Sequence, residues 1–307
     1  MTSTALPHDP LWPRAGSWPS PVEVEGPIAL ALVGIPAHLT SLSPTNAHLT
    51  PAAIREALRR YSPALMPDDR AHALTVLTDF VCADFGDVVD PDSPDGERRT
   101  VELVARAAER SSLVVALGGD NSITVATALG AWGNQVSTAG LITLDAHYDL
   151  RDGVSNGSPV RRLIESGLNP TRIVQIGIQD FANSHAYAVR ARDLGITVIH
   201  RDECARRPIA DIMAEALEIA GSADGPIHVD IDVDVCDRSV APACPASVPG
   251  GLSAFELRSA VRVAASDPRV RSVDIAEIDA SADSADGRTI RLGTLCVLES
   301  LAGVAAR

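Results

Sequence analysis

Leu141-Ile-Thr-Leu-Asp145-Ala-His147-Tyr-Asp149 decides how this chain folds. Its first four residues are an apolar run with a β-branched pair, the pattern of a strand buried on both faces of a parallel sheet. The run ends in two carboxylates and an imidazole within five residues. Charge collected where a strand gives way to a loop is costly to bury unless a cation compensates it, and a divalent metal does so most directly.

Outward from this stretch the pattern alternates. Apolar runs predict strands at 28–33, 74–77, 113–117, 140–144, 172–176, 196–199, 227–231 and 271–275. Helical periodicity predicts helices from Thr50-Pro51 to about Tyr61, then at 97–110, 121–132, 158–167, 184–194, 208–220, 253–265 and 293–305. Thr50 is expected as N-cap, with Pro51 in the first helical position. Short strands alternating with helices mean a parallel sheet covered on both faces. The expectation is a single-domain α/β fold, a three-layer αβα sandwich with a parallel sheet of about eight strands. That domain spans 27–307, and the proline-rich residues 1–26 precede it as an irregular arm.

Composition removes several function classes. The formal charge of −14 argues against nucleic acid and anionic membranes as partners. No apolar run approaches the ~18 residues of a membrane helix, and the N-terminus lacks the features of a secretion signal, so the chain reads as cytoplasmic. All 26 residues counted as Lys+Arg are arginine. Without lysine there is no Schiff base, no pyridoxal phosphate linkage and no Walker-type phosphate loop. Cys82, Cys204, Cys236, Cys244 and Cys296 are odd in number and lack CxxC spacing, so they read as reduced, structural thiols.

Four strand ends carry polar clusters, and a parallel sheet sets them on one edge, where ligands bind. They are Gly118-Gly119-Asp120-Asn121-Ser122, the opening stretch, His228-Val-Asp230-Ile-Asp232-Val-Asp234-Val-Cys-Asp237, and Asp274-Ile-Ala-Glu277. Side chains alternate along an extended strand, so Asp145, His147 and Asp149 should share a direction, as should Asp232 and Asp234. Asp230 shares the face of Asp232, and no role attaches to it. Hard oxygen ligands with one histidine suit manganese better than zinc or copper. The surplus of carboxylates suggests two ions with shared ligands.

GGDNS, DAHYD and DIDVDVCD resemble the three metal-binding motifs of the ureohydrolases, the arginase–agmatinase group, usually GGDHS, DAHxD and DxDxxD. The resemblance runs from Gly34-Ile-Pro36 through Thr50-Pro51-Ala-Ala-Ile-Arg55 to Glu277 and implies an arginase-like fold. Asp145-Ala-His-Tyr-Asp-Leu-Arg151, Asn156-Gly-Ser-Pro159, Gln175-Ile-Gly-Ile-Gln179 and Ala243-Cys-Pro-Ala246 are most similar to the formimidoylglutamase branch. Those enzymes hydrolyse N-formimidoyl-L-glutamate to glutamate and formamide in histidine breakdown.

The resemblance implies two manganese ions, with Asp145 and Asp232 bridging. His147 and Asp234 complete one site; Asp149 and Asn121 complete the other. It places Glu277 against the substrate's cationic amidine and gives Asp149 a proton-transfer role. Asp237 would support the ligands. Asn156 stands in the substrate loop, and Arg151 or Arg161 would orient the substrate's carboxylates. It also implies a homo-oligomer, trimer or hexamer. Two residues depart from the wider pattern. Asn121 replaces a histidine with a neutral, weaker donor, which leaves the ion on that side loose or absent, or makes Asn121 a plain helix cap. Asn156 replaces a histidine that shuttles protons in arginase and agmatinase, which disfavours their chemistry. Another guanidino or amidino hydrolase, or a catalytically impaired binding homologue, is the alternative.

Overall fold

The computed structural model describes residues 9–65 and 75–307. Among them is one eight-stranded parallel sheet. In chain order its strands are β1 (Ile28–Ile35), β2 (Cys82–Asp87), β3 (Ser111–Gly118), β4 (Gly140–Leu144), β5 (Ile173–Ile178), β6 (Thr197–His200), β7 (Ile227–Asp232) and β8 (Val270–Ala276). Their spatial order is β2-β1-β3-β8-β7-β4-β5-β6. The central strands β3, β4 and β7 are buried throughout except at Ser112 near the start of β3, as expected of apolar runs covered twice.

Alternation divides each strand between two helical layers. Leu30 and Leu32 face the core shared with α1 (Thr50–Leu58), α7 (Ile209–Ala220), α8 (Ala254–Ser266) and α9 (Arg288–Val304). Ala31 and Val33 face the other side, with α2 (Pro94–Arg110) and α3 (Ile123–Trp132). Farther along the sheet, α4 (Pro159–Glu165) and α5 (His185–Leu194) extend that second layer over Leu141 and Ile173. The short helix α6 (Arg201–Cys204) follows β6. The three-layer α/β architecture is therefore the expected one.

The strand expected at 74–77 is not part of the main sheet. Leu74 lies outside the described residues, and Thr75–Val76 pairs antiparallel with Ala64–Leu65. The sheet's edge is β2 instead, whose sequence CADFGD mixes polar and apolar residues because its outer end is exposed. Thr50 is not an N-cap. It lies inside α1, and its hydroxyl donates to the Ile278 carbonyl, tying α1 to the segment after β8. The last helix begins before the expected position 293 because the Asp283 carboxylate accepts from the Thr289 and Ile290 amides. Those are free N–H groups of a first helical turn.

Residues 9–26 lie against the domain. The Ala15 amide bonds to Tyr61, the Pro19 carbonyl accepts from the Asp84 amide on β2, and Arg110 donates to the carbonyls of Pro21 and Val24. Arg55, from the Thr50-Pro51 segment, forks onto Asp84 and reaches Asp87, fixing α1 to the same edge strand.

Candidate metal centre

All four polar strand ends meet at the carboxyl edge of β3, β4, β7 and β8, but not through extended chain. β4 stops at Leu144, and Asp149 has a left-handed backbone, φ 52°. Asp145 turns the chain, its Oδ1 accepting from the His147 amide at 2.6 Å. On β7, Asp232 Oδ1 accepts from the Asp234 amide at 2.9 Å and folds Val233–Val235 into a single 3-10 turn. The alternation argument therefore fails at both places. An aspartate accepting the amide two residues on makes a local turn that competes with the strand. The carboxylates converge because of those turns.

Asp145, Asp230, Asp232, Asp234, Asp149 and Glu277 are all buried, and His147 is partly exposed. His147 Nδ1 lies 3.0 Å from Asp234 Oδ2 and 3.3 Å from Asp145 Oδ1. Asp234 chiefly, helped by Asp145, raises the imidazole well above its ordinary pKa. Burial, then Asp234, pushes the Asp145 carboxyl up to about 6. Burial, then Asp145, raises Asp149; burial, then Asp234, raises Asp232. Asp234 is the exception. Burial opposes its ionisation, but the pairing with His147 prevails and its pKa is lowered. No arginine among the described residues pairs with this group.

Glu277 follows β8 with φ 65° and accepts from the Asn121 amide at 2.7 Å and from Asn156 Nδ2 at 2.9 Å. Burial, then Asp120, pushes its carboxyl up to about 8. Asn121 precedes α3 without capping a helical amide. Its Nδ2 donates to Asp149 Oδ2 at 2.6 Å and its Oδ1 accepts from the Thr124 hydroxyl at 2.9 Å.

A cavity of about 300 Å³ opens above these groups. Its lining includes His147, Asp149, Asp232, Asp234 and Glu277, with Asn156 and Arg151 farther out. The Arg151 guanidinium lies 6.0 Å from the Tyr187 ring centre and pairs with no acid among the described residues. Arg161 is not in that lining. It is spent on the loop carbonyls of Arg151 and Gly153 and on Glu165. Asp237 also stands apart, holding the Ser239 and Gly250 amides of the loop after β7.

Sequence reasoning overlooked Asn183. Its amide bonds to the Ala146 and Gln179 carbonyls, and its oxygen accepts from the Tyr148 amide. Gln175 supports the same loop through the Tyr148 carbonyl at 3.0 Å. Together they hold Asp145-Ala-His147-Tyr-Asp149 in its non-extended path. No local signal marks Asn183, because its partners Ala146 and Tyr148 come from another strand end.

The donor set fits a divalent cation. Asp145, His147 and Asp234 each place a ligand atom within 4.8 Å of the others, and so do Asp145, Asp149 and Asp230. The two groups share Asp145. Oxygens of Asp145 and Asp230 are buried without a hydrogen-bond partner, which a protein does not maintain cheaply.

An arginase family model matches residues 28–303. The chain belongs to the arginase family. It is 32% identical over 291 residues to the formimidoylglutamase of Bacillus subtilis (strain 168), an alignment covering 92% of this chain and 88% of that one. The crystal structure of formimidoylglutamase from Bacillus subtilis subsp. subtilis str. 168 has a TM-score of 0.87 at 27% identity, covering 99% of this chain and 95% of that one. Trypanosoma cruzi formiminoglutamase with Mn2+2 has a TM-score of 0.80 at 23% identity, covering 91% and 94%, and so shares the arginase-family fold.

Proposed function

We propose that the chain is a manganese-dependent hydrolase of N-formimidoyl-L-glutamate, releasing L-glutamate and formamide. The observation that carries this reading is the pair of ligand groups sharing Asp145 beneath a cavity lined by Glu277 and Arg151. One end of the cavity suits a cationic amidine and the other a carboxylate. The likeness to formimidoylglutamases over nearly the whole chain supports the same substrate.

His147 and Asp234 would hold one ion, Asp149 the other, with Asp145 and Asp232 shared. Asn121 reaches the second ion only if its carboxamide turns away from Thr124 and Asp149. Manganese bound there supplies Lewis acidity that makes water nucleophilic near neutral pH. Glu277 meets the amidinium, whose positive charge returns the carboxyl to its ionised form. Asn156 fixes Glu277 while accepting from the Leu42 amide, so the rim loop and the binding carboxylate move together. Asp149 takes a proton from the attacking water and delivers it to the amine nitrogen as the C–N bond breaks. The water oxygen leaves in formamide. Arg151 receives a substrate carboxylate as a bidentate fork. A cytoplasmic homo-oligomer completes the reading.

The test is turnover of N-formimidoyl-L-glutamate by the manganese-loaded protein, scored for formamide and glutamate. Urea released from a guanidino substrate, with no formamide, would establish a different amidino hydrolase. A protein that binds substrate without manganese and turns nothing over would establish the impaired homologue that Asn121 suggests.

A further inference from the structure

Asp230 lies on β7 between Thr143 of β4 and Asp274 of β8, two residues before Asp232. It is fully buried, no amide, hydroxyl or guanidinium donates to either carboxylate oxygen, and the adjacent Asp274 carboxyl can hydrogen-bond it only when one of the two carries a proton. The nearby imidazole does not serve it: His228 is occupied by Asp274 Oδ2 at 3.2 Å and Ser272 Oγ at 2.7 Å. One oxygen of Asp230 lies within 4.8 Å of oxygens from both Asp145 and Asp149. With metal–oxygen distances of about 2.1–2.4 Å, opposite ligands of one ion stand about 4.2–4.8 Å apart. Asp145 Oδ2 is likewise buried and unpartnered. Asn121, at the expected ligand position, has its oxygen on Thr124 and its nitrogen on Asp149.

We infer that Asp230 is a ligand of the second metal ion, completing with Asp145 and Asp149 the site where Asn121 is a neutral stand-in for imidazole. The carboxylate supplies from the sheet floor the strong donor that the start of α3 lacks. Asn121 is then a positioning residue, steering Asp149 through its amide. This rests on the metal-hydrolase reading. The competing arrangement is a proton shared between Asp230 and Asp274 without metal contact.

The experiment compares the parent with Asp230→Ser, Asp230→Asn and Asn121→Ala. Each is stripped with chelator, reloaded with manganese chloride, freed of excess metal and analysed for bound manganese, electron paramagnetic resonance and melting. The parent should hold two ions with a spin-coupled signal. Asp230→Ser should hold one, with the six-line signal of isolated manganese, and should lose part of the manganese-dependent rise in Tm. Its metal-free form should melt no lower than the metal-free parent, because a carboxyl buried beside the like-charged Asp274 has gone. That comparison separates ligand loss from misfolding. Asp230→Asn preserves shape and should weaken the second manganese Kd by at least about 10-fold. Asn121→Ala should still hold two ions. Two ions in both Asp230 variants, with parental melting, overturn the inference and leave the hydrolase reading intact. One ion in Asn121→Ala and two in the Asp230 variants return the ligand to Asn121. A parent that binds no manganese overturns both.

Discussion

Glu299 on α9 and the carboxylates at the strand ends are equally hidden from water, yet they are neutralised by different means. Arg258 of α8 forks onto Glu299 Oε1 at 2.9 and 2.6 Å, and Arg262 reaches Oε2 at 2.5 Å. Six acids at the sheet edge have one imidazole among them and no arginine. A chain with 26 arginines has the means to pair an acid wherever pairing is useful. At the sheet edge it withholds them, and the proposed manganese ions would supply the compensating charge there. Burial alone is therefore uninformative about a carboxylate; the sign of its surroundings separates a structural acid from a ligand.

Removing the proposed shared ligand should break the acidic side most severely. Asp232→Ala should lower kcat/KM by at least about 10³-fold and leave fewer than two manganese ions per chain, measured by formamide release and metal analysis. Retention of both ions would remove Asp232 from the centre. Glu277→Gln is the sharper cut. It should keep both ions and lower kcat/KM by about 10²–10³-fold, because a neutral amide no longer matches the amidinium. Loss of metal in that variant would make Glu277 a ligand rather than a substrate anchor.

On the arginine-paired side, Glu299→Ala should leave kcat/KM unchanged and destabilise the fold by about 1–3 kcal/mol, less than a fully buried pair because both arginines are partly exposed. A denaturant melt with and without manganese should show the same loss in both. A loss that appears only with manganese would dissolve the distinction between the two regions.

The smallest effect is on the pH slope of the metal-free protein. Asp145 is raised to about 6 and Glu277 to about 8, so the folded state holds more protons than the unfolded chain. The contribution of these groups to stability is then greatest below the ordinary carboxylate range and falls as pH rises through their raised values, roughly from pH 4 to 8. His147, also raised, acts in the same direction. Thermal melts of chelated protein should decline across that window, and manganese should flatten the decline. A chelated protein whose Tm rises from pH 5 to 8 would contradict the charge balance described here.

The buried strands were legible because uninterrupted apolar runs such as Leu113–Leu117 have few alternatives in an α/β chain. β2 was not, since Cys82–Asp87 has no sustained apolar run or regular alternation, and its glycine and two aspartates resemble a loop. The acidic motifs were legible as a cluster, and their donor types pointed to a hard divalent metal, while the roles of single residues came from the family resemblance. Their path was not: the turns at Asp145 and Asp232 depend on side chains accepting nearby amides, and period-two reasoning omits this. Arg151, in the loop after β4, and Arg161, at the start of α4, are ten residues apart and look interchangeable in sequence. Only the fold shows that one lines the cavity and the other holds the loop carbonyls. Asp230 drew no role for a similar reason, since its partners in space come from β4 and β8.

The segment from Pro19 to Val24 gives the sheet a protected flank. β2 is an edge strand, and an uncovered edge offers free amides and carbonyls to any other chain that can lie alongside. The Pro19 carbonyl occupies the Asp84 amide, and two arginine contacts fasten the segment just beyond it. Proline at positions 19 and 21 cannot donate to a ladder, so the cover stops the sheet instead of extending it. Cutting this segment away would leave the metal centre untouched at the far ends of the strands while making β2 adhesive. The first symptom would be clumping during expression, in a protein whose chemistry was intact.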